Sequence, residues 1–437
     1  MLMIAKQSPR SVLSGYVCRC SARKMRRPDA PVVVVGAGLA GLACAVGLHD
    51  AGIPVTLLEA SDGVGGRVRT DHVDGFLLDR GFQVMLTAYP ELHRQFDLDA
   101  LELRAFEPGA LVWRAGKGSA VADPFRLPLR TLSTVVAPIG SVSDKVRIAR
   151  LRARLRRVAP ALLLGGPDIT TADALRQAGF SDAIMQRFFR PLVGGIQLDP
   201  DLRDSRRMFD VIFRMLADGD SAVPAEGMQA IPDQLAARLP HDTVRFNARV
   251  TSAISTSVTV EGGNQIEASA VVIATEGPVA SKLLGLDPVH SKAAGCVYFA
   301  ADEPPTKTKM VILDGTGNGP VLNVAIMSNV APSYAPRGRH LIAAALPAMS
   351  EGDLHSLSRR QLRDWWGPQV DEWTHLATYR IPHGQPRQAP PFAPKQAVAL
   401  ADGRFVCGDH RDTASIQGAL FSGRRCAAAV VASRSGT

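Results

Sequence analysis

The feature that most constrains this chain is a run of four valines followed at once by three spaced glycines, Pro31-Val-Val-Val-Val35-Gly36-Ala-Gly38-Leu-Ala-Gly41. Four β-branched residues without polar alternation are the pattern of a central parallel strand covered on both faces. An apolar helical segment runs on to Asp50, stops at Gly52 and gives way to a second strand, Ile53 to Leu58, which ends in Glu59. Strand, glycine turn, helix and returning strand are the opening of a Rossmann-like α/β domain of the GxGxxG type. Each glycine has its own task. Gly36 permits the tight turn, Gly38 lets backbone approach a pyrophosphate, and Gly41 lets the helix pack closely on the strand. The phosphates then rest on the N–H groups of the first helical turn, Leu39 and Ala40, where the helix dipole favours negative charge. Glu59 lies 21 residues beyond Gly38, where an acid accepts hydrogen bonds from ribose hydroxyls.

A second glycine pair, Gly65-Gly66, follows directly, with Arg67 behind it. A nicotinamide dinucleotide does not need another phosphate-contacting loop so close to the acid. The double glycine lets backbone reach the pyrophosphate again, and Arg67 supplies charge to neutralise it. With these motifs the chain resembles the FAD-dependent oxidoreductases that include monoamine oxidases, protoporphyrinogen oxidase and phytoene desaturases. Leu78-Asp79-Arg80-Gly81-Phe82-Gln83 resembles a loop that approaches the flavin in the desaturase-like branch.

The resemblance extends over roughly residues 31–434 and implies an FAD-binding domain dispersed along the chain. Residues 30–90, 221–285 and 386–437 are assigned to that domain, and 91–220 and 286–385 to an interleaved α+β substrate domain. Val244–Ile254, Ser257–Val260 and Ala268–Ala274 read as strands with turn signals between them. The resemblance places backbone near Val250 on adenine. It places Gly408 and Asp409 on the ribityl or pyrophosphate portion, and the start of the final helix, through Ser415, Ile416, Gln417 and Ala419, beside the flavin pyrimidine. Gly81, Phe82 and Gln83 complete the implied flavin contacts.

Charge excludes a nucleic-acid function. The net charge is +9 over 437 residues, but residues 1–28 hold seven basic groups and no acid, leaving +2 for the rest. A nearly neutral body gives no global electrostatic support for binding a polyanion. The basic leader, residues 1–29, reads either as an organellar transit peptide or as the product of a start set upstream of Met25. The expected compartment is cytoplasmic, or organellar if the leader is a transit peptide. Six cysteines in 437 residues are too few for a disulfide scaffold, and no cysteine–histidine spacing suggests a metal, so none is assigned.

Residues 141–159 carry Lys145 and six arginines, with Val146, Ile148, Leu151, Leu155 and Val158 near helical spacing on one side. A basic amphipathic helix of this kind is a solvated surface face or a peripheral contact with an anionic membrane. The tryptophans Trp365, Trp366 and Trp373 read as core packing before they read as a substrate platform.

The resemblance implies an enzyme in which a hydride passes from a substrate carbon to flavin N5, with the protein supplying orientation, dryness and electrostatics. His410 and Gln83 are the candidate catalytic residues. Monoamine oxidases carry a Tyr shortly before the C-terminal Gly-Ala, where this chain has Ser415, and a Lys near flavin N5, for which Lys307 and Lys309 are the candidates by order. Without the aromatic cage, a larger and apolar small-molecule substrate is favoured. The alternatives are an amine or porphyrinogen oxidase using oxygen and, on the same fold, a binding protein without redox chemistry. Cys407 and Cys426 flank the C-terminal motif at positions unlike the cysteine of covalent relatives, so the FAD is expected to be non-covalent.

Overall fold

A computed structural model describes residues 30–122, 126–127, 137–347 and 352–435. The basic leader of residues 1–29, and the expectations placed on it, lie outside the described residues. The valine run forms strand β1 (Val32–Val35), whose four residues are all buried. Helix α1 (Leu39–Asp50) leaves it through the glycine turn and strand β2 (Val55–Leu58) returns beside it. The sheet is completed by β3 (Val244–Arg245), β4 (Ala270–Ile273) and β5 (Phe405–Val406). All five strands are parallel, in the order β3-β2-β1-β4-β5. The strand expected over Val244–Ile254 is two. Val244–Arg245 joins this sheet, and Val250–Ile254 heads a separate antiparallel sheet with Ser257–Val260 and Gln265–Glu267.

A second, seven-stranded sheet takes its strands from residues 109–122 and 291–386. Trp113, Phe299, Trp365, Trp366 and Trp373 pack together in an apolar cluster against it. Aromatic burial of this kind fills a core, and none of the tryptophans reaches the main cavity. Helix α2 (Val142–Arg156) is the expected basic helix. Ser141 caps it in a capping box with Asp144. Ile148, Leu151, Leu155 and Val158 pack into the core beside helix α3 (Arg206–Asp218), whereas Val146 does not and is 44% exposed. Met185–Gly194 is a π-helical segment containing Pro191, and π-turns of this kind recur at functional sites. The chain ends in helix α4 (Ile416–Ser435), packed on α1.

One buried carboxylate ties segments distant in sequence together behind the Arg80–Gln83 loop. Asp79, 1% exposed, accepts hydrogen bonds from Thr70 Oγ1 (2.6 Å), the Met228 N–H (2.9 Å) and the Tyr334 hydroxyl (3.0 Å). Its own carbonyl accepts from the Tyr298 hydroxyl at 2.9 Å. Burial nevertheless pushes the Asp79 carboxyl up to about 6, against the pull of those bonds. A folded-state pKa above the ordinary 3.8 means that the folded chain holds the proton more tightly than the unfolded one. This contribution to stability is full below about pH 4 and is lost as pH rises through about 6, a change of ~3 kcal/mol. Urea unfolding across that range will show wild-type stability falling relative to Asp79→Asn by roughly this amount. A difference independent of pH would contradict it.

Candidate active site

A cavity of about 910 Å³ opens between the two sheets, at the upper end of the range for small-molecule sites. One end is built by the two glycine loops. The Gly65 N–H donates to the Ala37 carbonyl at 2.8 Å, and Gly38 pairs with Gly65 in parallel, so the loops lie edge to edge. A Cβ on Gly38 would meet nothing nearer than the Gly65 carbonyl at 4.0 Å. The space beside Gly38 is therefore open to a ligand. Gly41 is the opposite case, because its Cβ would lie 1.9 Å from the Gly36 carbonyl oxygen. Gly41 does not line the cavity, and its role is to let α1 press on the turn. Helix α1 starts at Gly38 with no side-chain cap, and Leu39 and Ala40 of its first turn line the cavity. Uncapped N–H groups and a bare glycine facing a cavity suit the pyrophosphate of a dinucleotide.

The Glu59 carboxylate sits at this end, accepting from the Ala37 N–H (2.8 Å) and from the Ser61 N–H (2.8 Å) and hydroxyl (2.9 Å). These bonds fix both oxygens at the cavity wall. Val250, Gly81, Phe82, Gln83, Gly408, Asp409, Ser415, Ile416 and Ala419 also line the cavity. Ser415 caps α4 by accepting from the Gly418 N–H at 3.0 Å. The positive end of that helix thus faces the cavity. The residues present fit FAD.

Other side chains depart from expectation. Arg67 lines the cavity but is engaged by the protein, in an ion pair with Asp409 (2.8 Å) and a bond to the Gly384 carbonyl (2.7 Å). It is a bridge between the second glycine loop and the C-terminal motif, and its charge is already met by Asp409. His410 does not line the cavity. In the 3₁₀ turn Asp409–Arg411, Asp409 takes the cavity side and the His410 ring folds back over Gly408, where a Cβ would meet it at 2.5 Å. Burial pulls the imidazole down to about 4, so it is neutral near pH 7. Gln83 reaches the cavity, but its amide nitrogen is held by the carbonyls of Arg67 (2.8 Å) and Arg80 (3.0 Å), a positioning role. The Gln417 side chain is turned away, accepting from the Glu91 N–H at 2.9 Å. Lys307 and Lys309 do not line the cavity.

Further lining residues had little signal in the sequence. Tyr89, buried beside α4, hydrogen-bonds Ser415. Glu276, on the turn after β4, faces Arg67. The far half of the cavity is walled by apolar side chains including Phe188, Leu192, Ile212, Phe213 and Leu216, with Lys145, Val146, Ile148 and Arg152 of α2. The basic helix is thus a cavity wall, which only the tertiary structure reveals. Several of its cations are engaged within the protein: Arg147 with Ser143 (2.9 Å), Arg152 with the Ala217 carbonyl (3.2 Å) and Arg156 with Asp218 (2.9 Å). Arg150, Arg154 and Arg157 are exposed. Equally illegible in sequence is the convergence of Cys44, Cys407 and Cys426, whose thiols lie within 4.8 Å of one another in the α1–α4 interface. None of the three lines the cavity.

Parallel sheet, paired glycine loops and a cavity reaching from them toward the seven-stranded sheet define a flavin-dependent oxidoreductase fold. The chain belongs to the flavin containing amine oxidoreductase family, whose family model matches residues 39–431. It is 28% identical over 415 residues to the phytoene dehydrogenase of Streptomyces griseus, covering 80% of this chain and 77% of that one. It is 25% identical over 340 residues to the probable polyamine oxidase 4 of Arabidopsis thaliana, covering 72% of this chain and 63% of that one. Among solved structures, a putative protoporphyrinogen oxidase from Exiguobacterium sp. 255-15 superposes with a TM-score of 0.70 at 17% identity, over 93% of this chain and 99% of that one.

The geometry separates the glycines by experiment. Gly38→Val will keep the melting temperature but lose FAD, because its side chain enters the ligand space. Gly41→Val will fail to fold stably, because no room exists beside Gly36. Glu59→Ala will weaken FAD binding by ~1–3 kcal/mol, the range for charged hydrogen bonds. Full flavin occupancy in both Gly38→Val and Glu59→Ala would show that the dinucleotide binds elsewhere.

Proposed function

We propose that this chain is a dehydrogenase or oxidase of an apolar small molecule, with non-covalently held FAD. The observation that carries the reading is continuity: one cavity joins the glycine loops to the apolar half walled by Phe188, Leu192 and Phe213. FAD, when bound, supplies a two-electron acceptor at N5 for a hydride from a substrate carbon. Gly36, Gly38, Leu39, Ala40 and the Gly65-Gly66 pair would hold the pyrophosphate, and Glu59 the ribose. Asp409, oriented by Arg67, would accept from hydroxyls of the chain between phosphate and ring. The N-terminus of α4, fixed by Ser415 and Tyr89, favours negative charge at that end of the cavity. Phe82 and the apolar wall exclude water and orient the substrate carbon. Cys407 and Cys426 stand outside the cavity, which supports non-covalent attachment.

The amine-oxidase alternative is less well supported, since neither Lys307 nor Lys309 reaches the cavity and Ser415 stands in place of an aromatic side chain. Contact with an anionic membrane belongs to this proposal only through the exposed Arg150, Arg154 and Arg157. Under anaerobic conditions, apolar compounds with an oxidisable C–H will bleach the flavin absorption of the purified protein, and simple amines will not. Bleaching by amines alone would overturn the reading in favour of the alternative.

A further inference from the structure

The α1–α4 interface holds a group of side chains that the flavin site does not use. Cys44 of α1, Cys407 directly after β5 and Cys426 of α4 are free thiols, each 0% exposed, and their sulfur atoms all lie within 4.8 Å of one another. The two helices close tightly around them. A Cβ on Gly423 of α4 would fall 2.2 Å from the Ala40 carbonyl oxygen of α1, and one on Gly47 would fall 2.9 Å from the Ala427 Cβ. The Cys407 thiol donates to the Ala40 carbonyl at 3.8 Å. Ala40 and Gly408, the residue after Cys407, both line the cavity, so the three sulfurs stand directly behind its dinucleotide end.

A free cysteine packs as a small hydrophobe, but such packing does not require three thiols to meet from positions 363 and 19 residues apart. A disulfide would join two of them and leave the third over. Three sulfurs bound to one metal ion at ~2.3 Å stand roughly 4 Å from one another, so sub-ångström side-chain shifts close this group on an ion. The donor set selects the ion. Among the described residues no histidine or carboxylate joins the three sulfurs, whereas structural zinc takes four ligands and iron–sulfur clusters four cysteines. Soft thiolates in a three-coordinate site without water suit copper(I). Hydrogen bonds from the Cys407 and Cys426 thiols favour the thiolate at Cys44, which gives the ion a first anionic ligand; burial pushes the Cys426 thiol up, so its proton leaves only as metal binds.

We infer that Cys44, Cys407 and Cys426 form a trigonal thiolate site for one copper(I) ion. The bound ion ties α1, which follows the first glycine turn, to the C-terminal motif and to α4, and so clamps from behind two of the segments that line the dinucleotide end. Because the sulfurs are fully buried, the ion enters as the helices dock during folding, and its binding adds to the stability of the folded chain. The site stands on the cysteines alone and is independent of which substrate the cavity takes.

The test uses the full chain carrying Cys18→Ser and Cys20→Ser, so that the leader supplies no thiols. It is produced in copper-supplemented medium and, separately, refolded anaerobically with FAD and the copper(I)–acetonitrile complex. After gel filtration against excess bicinchoninate, elemental analysis will find one copper per chain, and X-ray absorption will show three sulfur neighbours at about 2.3 Å, as for zinc thiolates. Copper will also raise the melting temperature. Cys44→Ala, Cys407→Ala and Cys426→Ala will each weaken copper retention by more than about tenfold, the lower end of what losing even an outer partner of a metal ligand costs. Cys296→Ala, whose cysteine lies on a strand of the seven-stranded sheet, will retain the metal. If one of the three variants fails to fold, the other two and the absorption spectrum decide. Absence of copper from the parent protein, nitrogen or oxygen neighbours in its spectrum, zinc retained in preference to copper(I), or retention unmoved by the alanine substitutions would each overturn the inference.

Discussion

The structure depends on the contact between two bare backbones. Gly65 donates to Ala37, Gly38 pairs with Gly65, and Gly41 presses on the Gly36 carbonyl with no room for even one carbon atom. This stack sets the start of α1 against the sheet and leaves the first-turn N–H groups facing an open cavity. A side chain at Gly36, Gly41 or Gly65 would push the elements apart; a side chain at Gly38 would leave the fold and fill the site.

From that stack the chain goes out twice to build the seven-stranded sheet and comes back each time. Polar groups buried at the junctions hold the returns in place. The Asp79 carboxylate collects Thr70, Met228 and Tyr334, segments far apart in sequence. The Arg67–Asp409 pair closes the second glycine loop onto the C-terminal motif. Such groups are expensive to bury singly and become tolerable when every lone pair is met. They therefore specify one register for the returning segments.

The dinucleotide end was legible in the sequence because its chemistry is local. Valines, glycines and Glu59 act within 30 residues, and their spacing alone states what they do. Side-chain direction was not legible. His410 follows Asp409 directly, yet a 3₁₀ turn sends the two to opposite sides, and Gln417 next to Ile416 on α4 faces another element. The apolar half of the cavity was least readable, because α2, α3 and the π-helical segment around Pro191 meet there only through tertiary packing. The period of α2 pointed Ile148, Leu151 and Leu155 inward, as they are, but could not show that Lys145 and Arg152 border a cavity. The three cysteines of the α1–α4 interface lie 363 and 19 residues apart in sequence and meet only when both helices are in place.

The most direct measurement is the flavin content of the purified chain, by absorption of the native protein and analysis of the supernatant after acid precipitation. The account predicts one FAD per chain, all of it released into the supernatant, with no FMN. A protein that purifies without flavin and takes up none when FAD is added, or one that keeps its colour in the acid pellet, would contradict it.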